Sequence, residues 1–185
     1  MTAPDQDLAI ARPLFARLAA LGIAHATLTH AAVFTVTESQ ALRGTIAGAH
    51  AKNLFVKDKK GRLFLVTARE DLKIDLKRLH EAIGAQGRVS FATAEQLRAH
   101  LGVEPGSVTP FAALNDTEGR VTVVLDAGLV SEPVLNFHPL TNTATTTISN
   151  TDIIRFLTDT GHPPQIVTLP EQPAAGEDDA LPNPR

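Results

Sequence analysis

Two runs of strand-forming residues joined by a short polar turn constrain the fold of this chain more than any other feature. The runs AKNLFVK and RLFLVT lie within residues 51–67 and flank the turn DKKG at 58–61. Apolar and β-branched residues on both sides of a polar, Gly-containing turn are typical of an antiparallel hairpin. A β-sheet is therefore expected in the middle of the chain.

The hairpin also places a lysine beside its apolar row. Side chains alternate along a strand, so Lys52 is expected on the face of Leu54 and Val56 and Asn53 on the opposite face, unless a β-bulge turns both towards one ligand. A lysine at the start of a core-facing row either extends to solvent at the sheet's end or is held in a pocket to meet an anion or a polarised carbonyl. The pattern leaves both interpretations open.

Helical and strand patterns interleave over the remaining chain. Helices are predicted at 8–21, 37–43, 71–83, 93–101 and 149–161, and further strands at 23–29, 88–92, 121–125, 134–138, 143–149 and 165–169. Thr37 with Gln40 and Thr93 with Gln96 each form the pattern of a capping box. The elements show no regular βαβ repeat, so we predict an α/β (mixed α+β) fold with a mixed β-sheet and surrounding helices.

The C-terminal residues differ from the rest in composition. Residues 170–185 contain four prolines and four acidic residues against one arginine. Such a segment has too few apolar groups to form a core. We therefore predict one domain over residues 1–169 and a disordered acidic tail over 170–185.

Composition excludes several classes of site. The chain has no Cys, which rules out disulfides, thiolate metal ligands and cysteine nucleophiles, and it has no Trp or Tyr, which disfavours a broad aromatic platform for single-stranded bases. No apolar run reaches the roughly 18 residues of a spanning helix, and Asp5 and Asp7 precede the first arginine, unlike a signal peptide. A cytoplasmic protein without membrane association is expected.

Positive charge is concentrated in the middle of the chain. Between residues 43 and 98 there are twelve Lys or Arg residues and six acidic ones, although the whole chain has a net charge of -3. A basic sector on a neutral body can bind phosphates, and it can equally be an ordinary solvated surface.

Two short motifs offer groups for chemistry. The loop Gly106, Ser107, Val108, Thr109, Pro110 joins a flexible residue to a rigid one, so it can present backbone groups to a ligand or can be a simple turn. His138 precedes a proline at a strand end, where it can line a ligand-binding cleft or have a purely structural role. The other histidines, at 25, 30, 50, 80, 100 and 162, show no paired ligand spacing, so no metal site or cofactor is expected.

In order along the chain, the segments TVTESQALRG, AKNLFVKDKKGRLFLV, GSVTPF, LND and NFHPLTNTATTTIS resemble the YbaK-type aminoacyl-tRNA deacylases, which include the editing domain of bacterial prolyl-tRNA synthetases. The resemblance covers about residues 8–168. It implies a mixed sheet with one small pocket, and it implies catalytic roles for Lys52, Asn53, Gly106 and His138. It further implies substrate binding by two groups of residues: Ser107, Thr109 and Pro110 in the loop, and Lys57, Lys59 and Lys60 in the hairpin.

Within that family the chain is most similar to the free-standing proteins that hydrolyse alanine mischarged onto proline tRNA. The resemblance therefore implies a water-dependent hydrolase whose partner is the acceptor stem of aminoacylated proline tRNA, with transient association with a synthetase as a further expectation. Three alternatives stay open: a deacylase for another small amino acid such as cysteine, a non-catalytic nucleic-acid-binding module of the same fold, and, least favoured, a metal hydrolase. The motifs do not determine the oligomeric state.

Overall fold

The central element is one mixed sheet, seen in a computed structural model that describes residues 8–31 and 46–173. The eight strands in these ranges are β1 His25–Thr29, β2 Ala49–Lys57, β3 Leu63–Arg69, β4 Ser90–Phe91, β5 Val121–Asp126, β6 Val134–Phe137, β7 Ala144–Ser149 and β8 Gln165–Val167. Seven of them follow the order β1-β7-β6-β2-β3-β5-β8, and β4 pairs with β2. The predicted mixed-sheet fold is confirmed, and so is the hairpin.

Strand β2 joins the two halves of the sheet. Its first residues pair in parallel with β6, the segment 51–57 pairs antiparallel with β3, and its last two residues pair with β4. Beyond β3 the pairing is parallel, to β5 and then to β8. Strand β2 therefore pairs with three strands: β6 at its start, β3 along residues 51–57 and β4 at its end.

The helices cover the sheet, and two of them, those that begin at Ala94 and Asn150, start where the capping patterns of the sequence predict. They are α1 Arg12–Ala20, α2 Leu79–Ala82, α3 Ala94–Leu101, α4 Ala127–Val130 and α5 Asn150–Asp159, with 3-10 helices at Ala9–Ala11 and Pro110–Asn115. Thr93 and Gln96 form the predicted capping box of α3, and Ser149 caps α5. Among the described residues, no helix has the length and apolar character needed to cross a bilayer.

The two faces of the sheet bury separate cores. Because neighbouring side chains of a strand point to opposite faces, Phe55 and Leu65 belong to one core, whereas Val56 and Val66 belong to the other. The larger core also contains Phe111, Phe137 and Phe156, and the smaller one contains Leu79, Ile83 and Leu169.

The predicted helix at 71–83 is wrong for most of its length, since only Leu79–Ala82 is helical. The amide of Asp75 donates to the Pro170 carbonyl at 2.8 Å, and the Gln172 amide donates to the Lys73 carbonyl at 2.8 Å. These backbone groups are therefore engaged with a distant segment and are not available to a helix. The apolar stripe that suggested the helix consists of Leu72, Leu76, Leu79 and Ile83. Leu79 and Ile83 are buried in the smaller core and Leu72 packs against it, whereas Leu76 is exposed.

The same contacts affect the predicted tail. Pro170 and Gln172 are hydrogen-bonded to the 73–75 segment, and Glu171 forms an isolated bridge with Ile74, so structured chain extends past the predicted boundary at 170. Residues 174–185 lie outside the described residues. The predicted helix at 37–43 and its capping box also lie outside them.

A buried carboxylate organises the hairpin turn. Asp58 is 5% exposed and accepts hydrogen bonds from the backbone amides of Lys60, Arg62 and Gln86 and from the Arg62 side chain. Burial alone would raise the pKa of the Asp58 carboxyl, but the hydrogen bonds from Gln86, Arg62 and Lys60 outweigh it and lower that pKa to about 2. The Asp58 carboxylate is therefore charged in the folded protein at neutral pH.

We predict that Asp58→Asn lowers the stability at neutral pH and makes it less dependent on pH in acid. A carboxyl group whose folded-state pKa is below its unfolded value contributes fully above about pH 4 and loses that contribution as the pH falls towards 2. Urea unfolding between pH 2 and 7 measures this, with Glu118→Gln, on an exposed ion pair with Arg120, as the control. If Asp58→Asn lost as much stability as the wild-type protein between pH 4 and pH 2, the prediction would be contradicted.

Candidate functional site

Lys52 and Asn53 lie on opposite faces of β2. Residues 51–57 pair one-to-one with residues 69–63 of β3, so the strand has no bulge at this point. The alternative in which a bulge turns both side chains towards one ligand is wrong. The predicted placement of Lys52 on the face of Leu54 and Val56 follows from the same register.

Asn53 connects β2 to the loop at 106–110. Its Nδ2 donates to the Val108 carbonyl at 2.9 Å, and its Oδ1 accepts a hydrogen bond from Thr67 Oγ1 at 2.8 Å. Both ends of the amide are thus fixed, one by the neighbouring strand and one by the loop. Asn53 therefore sets the position of the loop relative to the sheet.

The loop itself is exposed at one end and buried at the other. Gly106 is exposed and has φ +91°, a conformation that L side chains rarely adopt. Ser107 is buried and its amide donates to the Glu104 carbonyl. Thr109 is fully buried and its hydroxyl accepts from the Phe111 amide at 3.4 Å, while Pro110 begins the 3-10 helix. The Thr109 side chain thus caps a helix, and the exposed backbone of the loop is at Gly106.

Lys52 is partly buried among acceptors. Its ammonium group donates to the Leu72 carbonyl. Burial lowers the pKa of Lys52, and the carboxylates of Asp71 and Glu70 act in the opposite direction. The structure therefore holds this lysine at the sheet surface beside two carboxylates.

His138 lies at the end of β6 and is also partly buried. Its Nδ1 is 3.1 Å from the Ala144 carbonyl, which can only accept, so Nδ1 carries the proton. Burial lowers the pKa of His138, against the effect of that carbonyl, and the neighbouring imidazoles of His30 and His50 lower it further. The neutral ring leaves Nε2 as a hydrogen-bond acceptor. The pairing of His50 with Asn136 puts Lys52 and His138 each two positions further along adjacent segments, and the Glu70 carboxylate acts to raise the pKa of both, so the two residues share one electrostatic neighbourhood.

An open cavity of about 710 Å³ adjoins this neighbourhood. It is lined by Gly48, Ala49, His50, Arg69, Glu70, Asp71 and Glu132. Gly48 has φ +107°, and a Cβ there would lie 2.8 Å from the Val134 carbonyl oxygen. Only glycine permits this close approach of β2 to β6 at the cavity wall.

The hairpin lysines are not part of the cavity. Lys57 is five positions beyond Lys52 in the same strand, about 17 Å away at the usual rise of extended chain. Its Nζ donates to Gln96 Oε1 at 3.3 Å. Lys59 and Lys60 are exposed on the turn that follows. The structure thus separates the predicted binding lysines from the one predicted catalytic lysine, Lys52.

Comparison with known proteins gives the family. The sequence profile described as the aminoacyl-tRNA editing domain matches residues 30–156, which is more than half of the chain. The chain belongs to the aminoacyl-tRNA editing domain family. The resemblance inferred from the motifs is confirmed.

Several relatives align with most of this editing domain. Prolyl-tRNA synthetase associated domain-containing protein 1 of Danio rerio is 40% identical over 151 residues, which cover 80% of this chain and 82% of that protein. Prolyl-tRNA editing protein ProX of Acetoanaerobium sticklandii is 35% identical over 157 residues, covering 84% and 95%. A crystal structure of a candidate trans-editing enzyme for prolyl-tRNA synthetase superposes with a TM-score of 0.69 at 21% identity, covering 93% of this chain and 100% of that one, which shows a shared fold.

Sequence reasoning missed two neighbours of the candidate catalytic residues. His50 was considered only for metal-ligand spacing, and Glu70 was not considered as a site residue. Alternation along β2 is the signal that could have found His50, because it precedes Lys52 by two positions and shares its face. No sequence signal places Glu70 in the site. Glu70 lies there because its backbone amide donates a hydrogen bond to the His50 carbonyl at 2.9 Å.

We predict that Thr67→Val destabilises the protein by about 1–3 kcal/mol, the usual cost of leaving a buried polar group without its partner. Thr67 is fully buried, and valine keeps its shape but leaves Asn53 Oδ1 without this donor. Urea unfolding measures the loss. The control is Thr122→Val on β5, which removes the same hydroxyl from a partly exposed position. Equal losses in the two variants would show that the bond to Asn53 is unimportant.

Proposed function

We propose that this editing domain is a free-standing deacylase that hydrolyses the ester of alanine mischarged onto proline tRNA. The observation that carries the proposal is the arrangement around β2. Lys52 shares an electrostatic neighbourhood with His138 on one face, and Asn53 on the other face holds the Gly106 loop. Family membership and relatives named for prolyl-tRNA editing support the same activity.

The proposed reaction needs only water as the nucleophile. Water adds to the ester carbonyl, the bond to the ribose oxygen breaks, and alanine and uncharged tRNA are released. The developing oxyanion is stabilised by backbone donors near Gly106, since preorganised donors are the main source of rate in acyl transfer. The vicinal ribose hydroxyl takes part in the proton transfer.

Each side chain has a separate task in this proposal. Lys52 exchanges the Leu72 carbonyl for the terminal phosphate or ribose of the acceptor end. Asn53 positions the ester through the loop that it holds at Val108. His138, neutral and with a free Nε2 lone pair, contacts the terminal ribose or the ester region.

Selectivity for alanine has a simple physical basis. A synthetase pocket shaped for proline excludes a smaller amino acid poorly, because one missing methylene is worth only about 1–3 kcal/mol. A second pocket that is too small for proline but admits alanine then removes the error. We propose that this chain supplies the second pocket.

The hairpin lysines are proposed to contact the acceptor stem away from the ester. Lys59 and Lys60 are exposed, and the Lys59 stem packs over Gly87, where a Cβ would lie 2.9 Å from Lys59 Cδ. This contact holds one cation out from the turn, where a phosphate backbone can reach it. The distance of Lys59 and Lys60 from Lys52 suits a nucleic-acid partner that extends across the sheet.

The remaining expectations are proposals as well. We propose a cytoplasmic enzyme with one catalytic domain over about residues 1–169, an acidic tail, and transient association with a synthetase. Within the described residues, no three His, Asp or Glu side chains cluster in a way that could hold a metal ion. We expect the activity to persist in the presence of a chelator.

The central prediction is rapid, chelator-resistant hydrolysis of alanyl-tRNA(Pro) with prolyl-tRNA(Pro) spared. Lys52→Met should lower kcat/KM on the order of 100-fold, as expected for loss of one charged group that binds the reacting end of the substrate. Lys77→Met, at an exposed position outside the site, is the matched control.

The assay also separates the alternatives. Faster hydrolysis of the cysteinyl ester would assign a different amino acid to the same chemistry. Tight tRNA binding without turnover of any ester would favour the non-catalytic binding module, and loss of activity with chelator would favour a metal hydrolase.

We predict that the double variant Lys59→Gln, Lys60→Gln binds tRNA more weakly and with less dependence on salt. Each lost phosphate contact should reduce the slope of log K against log salt by about one. Binding titrations at several salt concentrations measure the slope. Arg120→Gln, on an exposed turn before β5, is the control. A slope unchanged from wild type would remove the hairpin from the tRNA interface.

A further inference from the structure

One nitrogen in the cavity wall has no hydrogen-bond partner. In the described part of the chain, two buried side-chain polar atoms are left in this state, His50 Nε2 and His80 Nδ1. Buried polar groups are nearly always paired, so each exception calls for an explanation. His50 lines the cavity beside Lys52, whereas His80 lies on the short helix α2.

The residues around His50 do not supply the missing partner. Asn136 is opposite His50 in the pairing of β2 with β6, but its Nδ2 donates to the Ala47 carbonyl at 3.0 Å and its Oδ1 accepts from Thr147 Oγ1 at 2.7 Å. The His50 backbone carbonyl is occupied by the Glu70 amide. The imidazole nitrogen is therefore available to a group that enters from outside the protein.

The charges of the cavity indicate which kind of group enters. Three carboxylates line it, from Glu70, Asp71 and Glu132, against the single guanidinium of Arg69. Arg69 pairs with Asp71 and lies 3.7 Å from Glu132. When Lys52 beside Glu70 and Asp71 is counted as well, the three carboxylates still outnumber the two cations, and this excess of negative charge attracts a cation. The cationic part of an aminoacyl ester is its α-ammonium group.

We propose that the α-ammonium group of the aminoacyl end enters this cavity and that His50 Nε2 accepts a hydrogen bond from it. An ammonium group has only donors, and a neutral imidazole offers one acceptor. The χ2 torsion of histidine is broad, so the ring can turn its nitrogen towards the cavity. The inference rests on the proposed deacylase function and adds a residue that positions the amino acid and selects for its free amine.

The test compares two esters on the same proline tRNA. One carries alanine, and the other carries lactate, in which a hydroxyl group replaces the ammonium at nearly the same size. His50→Phe keeps a planar ring and removes the acceptor. His50→Gln restores a polar group, and His80→Phe removes the other unpartnered nitrogen away from the cavity.

We expect His50→Phe to lower kcat/KM for the alanyl ester about 10- to 100-fold, in the range for a hydrogen bond to a charged group, and to change the lactyl ester less than about threefold. His50→Gln should recover part of the preference for alanyl ester, and His80→Phe should change neither ester. The melting temperature of His50→Phe should equal or exceed that of wild type, because an unpaired buried nitrogen is removed. If His50→Phe does not fold, His50→Leu is measured in its place.

An equal loss on both esters, or no loss on either, would overturn the role of His50 while wild-type turnover still upheld the deacylase. A lowered melting temperature together with equal losses would assign His50 a structural role. Failure of the wild-type protein to hydrolyse either ester would overturn the proposed function and this inference with it.

Discussion

The register between β2 and β3 is the constraint on which the rest of the structure depends. One-to-one pairing over residues 51–57 sends successive side chains of β2 to opposite faces of the sheet. A slip of one residue would exchange the faces of Lys52 and Asn53 and would turn Phe55 and Val56 into the wrong cores. Because β2 also pairs with β6 and β4, such a slip would break several ladders at once.

Hydrogen bonding separates the structural polar groups of the sheet from those available to a substrate. Both ends of the Asn53 and Asn136 side-chain amides are hydrogen-bonded inside the protein. Each Oδ1 accepts a hydrogen bond from the hydroxyl of a threonine on a neighbouring strand. Such saturated groups fix the positions of loops and strands. His50 keeps a buried nitrogen without a partner next to the cavity. An unsatisfied group is costly to the free protein and is useful where a ligand completes it.

The predictions that rested on turn and cap chemistry were accurate. The hairpin, the capping box at Thr93 and the cap at Ser149 depend on residues within a few positions of each other, and all three are confirmed. The helix at 71–83 failed because periodicity reports burial but does not say where the backbone hydrogen bonds go. There, Lys73 and Asp75 bond to residues almost a hundred positions later.

The sequence by itself determined the mixed fold and, through its motifs, the editing-domain family. It also favoured opposite faces for Lys52 and Asn53, which the bulge-free pairing of β2 with β3 then decided. These follow from alternation along a strand and from local turn and cap chemistry, which the order of residues encodes directly. Only the tertiary structure decided that Asn53 holds the loop at Val108, that His50 and Glu70 join Lys52 beside the cavity, and that the hairpin lysines lie apart from it. Those relations depend on which strands become neighbours in the sheet, and that choice is made by burial of the two cores and not by sequence spacing.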